Sequence, residues 1–346
     1  MSSTPTSYLH FDTLNPTPNL EGQHDETIDG RFFRGRGGGS DDEARMMKLP
    51  VIAAATALAV FGQSTPLDPD AIVDLVNSGG DLKLPGINFS CPDRNCHAER
   101  LYPHHDLLMQ GGFEAIVHIS SVAAWTSRFL IFHCEDGCRL VDHIDRESRY
   151  EPAEAQVVAA LNKRWFVVTG STGGGSGARF SGSDWYEVYN QKLRLILSVP
   201  KQGYAQDPDP AITMSMRFVR YQRIATGEEL EFAYHLEFAS GLSSGLDSLS
   251  VFLWDDEWRV TYSRDSRDGK FKFNSARSTT PKGWNDDVLP YGPSPTQFIP
   301  YAVPHLLEIA RNSRDPRRAW LKQLLNKTPT WTETEPIRAA LKASER

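Results

Sequence analysis

Between Glu114 and Asn274 the chain carries about eleven short runs of β-branched and aromatic residues, with no helix-length pattern between them. EAIVHIS, RFLIFH, RLVDHI, RWFVVT, WYEVY, LRLILSV, ITMSMRFVRY, ELEFAYHLEF, SVFLW, WRVTYS and KFKFN follow one another closely, and several alternate apolar with polar side chains. A parallel sheet needs a crossover of a dozen or more residues, usually a helix, between successive strands. These connections are too short for that. The expectation is a mainly β fold: an antiparallel β-sandwich, barrel or propeller-like sheet. Glu135-Asp136-Gly137 and Asp255-Asp256 each read as a hairpin tip, and the two hairpins resemble each other enough to suggest an internal duplication.

Helices are expected on either side of the strands. Asp68 is a good N-cap, Pro69 suits the first helical position, Ile72, Val73, Leu75 and Val76 give an apolar face, and Gly79-Gly80 end it. Residues 81–105 read as irregular. Beyond Pro290 one helix runs from about Thr296 to Asn312, broken at Pro300 or Pro304. A second follows Asp315 as N-cap with Pro316 at its start, and a short third spans about Pro336 to Lys342. The architecture is therefore α+β, with a β-rich domain over 65–290 and a helical C-terminal region over 291–346 packed on it.

Ahead of the first helix, residues 46–64 read MMKLPVIAAATALAVFGQS: a short basic flank, an apolar stretch and small residues, the pattern of a secretory signal peptide. A buried core helix or a membrane anchor are the alternatives. About 13 apolar residues fall short of the roughly 20 that span a bilayer, and no later segment is apolar enough, so no transmembrane span is expected in the mature chain. Residues 1–45 are polar, include GRGGGSDDEAR, and lack apolar periodicity; they read as a disordered extension. The protein is thus expected outside the cytoplasm, periplasmic or extracellular.

A net charge of −7 argues against nucleic acid or an anionic membrane as the main partner, since each needs a basic face. Arg311, Arg314, Arg317 and Arg318 cluster, and read as a solvated helix face. The four cysteines form two close pairs, Cys91/Cys96 in CPDRNC and Cys134/Cys138 in CEDGC. Export favours disulfides, either two local bridges or two long-range ones. A four-thiolate zinc site or free thiols are the alternatives if the chain stays inside.

Several constellations carry chemistry. Gly241-Leu242-Ser243-Ser244-Gly245 fits G-x-S-x-G, the turn that presents a nucleophilic serine in α/β-hydrolases. His305 is the only later histidine, and Asp255, Asp256, Asp286 and Asp287 lie between them. Ser243, His305 and Asp286 form the candidate triad, with Gly174 and Gly175 of the glycine-rich run as an oxyanion loop. Against it, a nucleophile elbow leads into a helix, whereas LDSLSVFLW reads as a strand. A second candidate is a divalent metal site, zinc for instance, from His104, His105, Asp106 and His133, because six of the ten histidines fall between His97 and His143. Asp265, Asp268 and Gly269 resemble half of a calcium loop. Trp165, Trp185, Tyr186, Tyr189, Trp254 and Trp258 are candidates for stacking on sugar rings, with core packing as the alternative.

Two functional classes follow: an exported hydrolase acting on a small ester, lactone or similar bond, serine- or metal-dependent, and a non-catalytic extracytoplasmic β-rich binding or envelope protein, for a small molecule or a glycan.

Overall fold

The computed structural model describes residues 67–346, apart from 85, 92–94, 106, 109–110, 122–124, 176–177, 206–209, 241–250, 266, 268, 281–294, 329, 331 and 346. The extension over 1–45 and the signal-like segment over 46–64 lie outside the described residues.

Helix α1 (Pro69–Asn77) forms where the cap signals place it: Asp68 accepts the Asp70 N–H at 3.0 Å, and Ile72 and Val76 are buried. A small hairpin, β1 (Leu82–Leu84) and β2 (Ile87–Phe89), follows. Next comes a four-stranded antiparallel sheet in simple order, β3 (Cys96–His105), β4 (Phe113–Ser121), β5 (Thr126–Cys134) and β6 (Cys138–Glu147). The rest of the β structure is one eight-stranded antiparallel sheet: β7 (Glu154–Ala160), β8 (Lys163–Gly175), β9 (Ala178–Tyr189), β10 (Lys192–Ala205), β11 (Ala211–Ile224), β12 (Gly227–Ala239), β13 (Phe252–Asp265) and β14 (Lys272–Phe273). Each strand pairs with its chain neighbours, and β7 and β14 remain edges. The fold is sandwich-like and is not a closed barrel.

The apolar alternation explains the layering. On β4, Ala115, Val117 and Ile119 pack with Ile72, Val76, Leu82 and Ile87 of α1 and the small hairpin. Ile116 turns the other way, with Phe129 and Ile131 of β5, onto Phe166 and Val168 of β8. Trp165 and Val167 of β8 then face a third cluster, shared with the C-terminal helices. Central strands covered on both faces lose the polar half of their alternation, which is why EAIVHIS and RWFVVT are so apolar. Polar bridges also join the sheets: Arg146 on β6 pairs with Asp184 on β9, and Asp142 accepts the Leu193 N–H at 2.8 Å.

Helices α2 (Pro295–Arg311), α3 (Arg318–Lys327) and α4 (Glu335–Ala343) cover the far face, burying Ile299, Ala302, Leu306, Trp320, Leu321 and Ile337 against Phe238, Trp254 and Trp258. Four details differ from expectation. Helix α2 runs through Pro300 and Pro304, which stand four apart on an exposed side. Helix α3 starts at Arg318, and Asp315 caps the turn before it by accepting the Arg317 N–H at 2.9 Å. Arg318 is buried and donates to the carbonyls of Ala310 and Leu341, so that part of the arginine cluster ties helix ends together instead of being solvated. Strand β13 passes without a turn through Asp255 and Asp256, which removes the second hairpin tip and with it the duplication.

Both disulfides are local: Cys91–Cys96, beside the start of β3, and Cys134–Cys138, closing the β5–β6 hairpin. No described cysteine is free.

Candidate functional site

Ser243 and Asp286 lie outside the described residues. The connection that carries Ser243 joins β12 to β13, which are antiparallel partners: Ala239 stands opposite Phe252, and the Ser240 N–H donates to the Val251 carbonyl at 2.8 Å. An elbow of the hydrolase kind would join a strand to a helix. Gly174 and Gly175 end β8, opposite Arg179 and Ala178. They share an end of the sheet with the β12–β13 connection, but four strand spacings, about 19 Å across a flat sheet, separate β8 from β12. His305, on α2, stacks on Trp254 with ring centres 5.0 Å apart and brings Nε2 to 3.5 Å from Asp256 Oδ2. Tyr301 donates to the same carboxylate. Burial, then that hydrogen bond, hold the Tyr301 hydroxyl above its usual range. The carboxylate beside His305 is thus Asp256.

The histidine-rich segment resolves into structural pairs. His105, Glu114 and His133 stand opposite one another on β3, β4 and β5. The Glu114 carboxylate is sealed from solvent; it accepts the backbone N–H of Leu107 and of Leu108, and faces His133 Nδ1 at 2.9 Å. His118 is buried, stacks on Phe129 at 4.6 Å and meets Glu99 Oε1 at 3.1 Å; desolvation lowers its pKa below the ordinary 6.5. Among the described residues no three His, Cys, Asp or Glu side chains are placed to hold a metal ion. Asp106 and Asp268 lie outside the described residues, and His104 sits at the end of β3 beside His105. At the calcium-like loop, Arg267 occupies both oxygens of Asp265, at 3.1 and 3.2 Å.

Trp165, Trp185, Trp254 and Trp258 are core residues, because β8, β9 and β13 are covered on the face that carries them. Trp165 on β8 meets Tyr221 on β11 with ring centres 5.1 Å apart. Those strands would stand about 14 Å apart in a flat sheet, so the sheet bends around its aromatic core. Tyr186 is half-buried, and Tyr189 is exposed beneath the Arg194 guanidinium.

Exposed aromatics lie elsewhere. At the end of the sheet that carries Gly174 and Gly175, a groove of about 310 Å³ is lined by Phe180, Tyr204, Gln202, Thr213 and the Arg179–Glu151 ion pair, which closes at 2.7 Å. Ser171, Ser181 and Gly203 also line it. A methyl group on Gly203 would stand 2.5 Å from the Phe180 ring, so only glycine lets the ring lie against the backbone here. Tyr150, exposed and with φ +74°, lies under Arg179 with the guanidinium 6.0 Å from its ring centre. The glycine-rich run was legible in the sequence, but the groove residues that β9, β10 and β11 bring together beside it were not.

The chain matches no known family model, no curated protein and no solved structure.

Proposed function

We propose that the chain is an exported, disulfide-stapled β-sandwich that binds a glycan in the groove at Tyr204 and Arg179. The two local disulfides support export, since such bonds persist in oxidising compartments. Among the described residues no helix is long and apolar enough to cross a membrane, which is compatible with it. The observation that carries the binding reading is the lining of the groove: the exposed ring of Tyr204 with Gln202, Thr213 and a charged pair beside it, among small Gly and Ser residues. A sugar ring has an apolar C–H face and polar hydroxyl edges, and that combination of an aromatic surface with planar hydrogen-bonding groups complements it. Thermal melts of the purified protein against soluble chito-, cello- and xylo-oligosaccharides test the reading. A saturable rise in midpoint with one of the three is expected, and no rise with any of them rejects it.

Hydrolysis of a small ester or lactone is the second reading, favoured by the His305–Asp256 contact: an imidazole held by a carboxylate is the arrangement of a general base. Its nucleophile would be Ser243. Ser243→Ala should then abolish turnover of a chromogenic ester without altering the melt, and turnover unchanged in that variant removes the serine route. Loss of turnover on chelation, restored by a divalent ion, would favour the metal route.

A further inference from the structure

At the opposite end of the same strands, a cleft of about 750 Å³ opens among the β8 start, the β9–β10 and β11–β12 turns and the end of β13. Its least exposed cation is Arg264, whose side chain is 7% exposed. Arg264 Nη2 donates to Glu187 Oε2 at 2.6 Å, Nε donates to Glu228 Oε2 at 2.7 Å, and the guanidinium lies 4.5 Å above the Phe271 ring centre. The remaining nitrogen, Nη1, has no acceptor among the described residues. Nη1 is itself covered, so it leaves positive charge under-compensated in the wall of the cleft.

The carboxylates around it are already occupied. Glu187 also receives Arg194, and Glu228 also receives the Tyr221 hydroxyl at 2.8 Å and stands 3.3 Å from Lys163 Nζ. Burial opposes ionisation of both acids, but the hydrogen bonds from Arg264 and their other donors outweigh it and hold both below the usual carboxylate range. The cations are less fully engaged. Arg223 reaches the Tyr221 hydroxyl at 3.3 Å and is otherwise exposed. Counting Arg267 and Asp265 at the rim, five cationic side chains face three carboxylates among the described residues lining the cleft. The turn is drawn tight by Gly227, with φ +152°: a methyl group there would stand 2.0 Å from the Arg264 carbonyl oxygen.

An excess of two positive charges and guanidinium forks at the cleft surface call for one small, doubly charged oxyanion. A phosphate monoester carries about −1.5 to −2 at neutral pH and offers three acceptor oxygens, which arginine forks engage better than a single point charge does. We infer that this cleft binds a small phosphorylated solute, with its phosphoryl group within reach of Arg194, Arg223 and Lys163, beside the buried Arg264. The site is independent of the Tyr204 groove.

The test is the thermal midpoint of the full chain with inorganic phosphate, glycerol phosphate or succinate, at constant ionic strength set with sodium chloride. Phosphate and glycerol phosphate should raise the midpoint saturably. Arg223→Glu, at an exposed position, should leave the unliganded midpoint unchanged and weaken the apparent affinity by about tenfold or more. Lys163→Gln, a milder change, should weaken it in the same direction. No rise, an equal rise with succinate, or a rise fully kept in both variants would overturn the assignment.

Discussion

Tyr204 on β10 stands directly opposite Arg179 on β9, and Arg179 reaches across to Glu151 ahead of β7. This register places an aromatic ring, a guanidinium and a carboxylate from three distant stretches of chain around one groove. Each is exposed, so none is needed to fill the core.

Truncation of Glu114 should destabilise the fold strongly. Its sealed carboxylate satisfies two backbone N–H groups and faces His133. Leaving two buried backbone N–H groups without their acceptor costs about 1–3 kcal/mol each. Denaturant unfolding of Glu114→Ala should show a loss of that order, whereas Glu151→Ala, in an exposed pair, should cost less than about 1 kcal/mol. Equal small losses would mean that the Glu114 cluster does not anchor the β3–β4 connection.

Acid should destabilise the fold in two steps. His118 has a depressed folded-state pKa, so its contribution is present above pH 6.5 and declines as the pH falls from there towards the folded value. Glu187 and Glu228 are also depressed; their contribution is present above the ordinary glutamate value of 4.5 and is lost as the pH falls below it. His118→Phe keeps the stack on Phe129 and should flatten the stability profile near pH 6 while leaving the loss below pH 4.5. An unchanged slope near pH 6 would remove His118 from the account of acid sensitivity.

The local disulfides should be modest staples. Bridges closing loops this short, four and five residues apart in sequence, contribute about 2 kcal/mol each in the chain-entropy picture. Replacing Cys134 and Cys138 together with serine should lower the melting midpoint by several degrees without unfolding the chain. Peptide mapping without reduction should recover Cys91–Cys96 and Cys134–Cys138 links; cross-linked pairs such as Cys91–Cys134 would contradict the register of the β5–β6 hairpin.

If residues 46–64 act as a signal, protein recovered from outside the producing cell should begin near Gln63 or Thr65. N-terminal sequencing reads this directly, and an intact 346-residue product in the cytosol would contradict export.

Much of the fold was legible because period-two alternation survives wherever one strand face is polar. Strand β3 was missed because CHAERLYPHH is charged and proline-interrupted, and β7 because EAQVVAA is short and half-exposed. Asp255-Asp256 resembled a turn; in the structure Asp256 is served by Tyr301 and His305 of α2, partners about 45 residues away that the local pattern cannot reveal. The tryptophans looked available for stacking because burial on both faces of β8 and β9 is a property of the layers and not of the strand itself. The groove was illegible for the same reason: Glu151, Arg179 and Tyr204 meet only through strand order.

Calorimetric titration of the intact protein and of Tyr204→Ala, with the oligosaccharide that gives the largest thermal shift, tests the binding site most directly. The predicted result is saturable binding by the intact protein, weakened about tenfold or more in Tyr204→Ala at unchanged folding stability, as loss of a central aromatic contact requires. Equal affinity in the two proteins, or no binding heat in either, would contradict it.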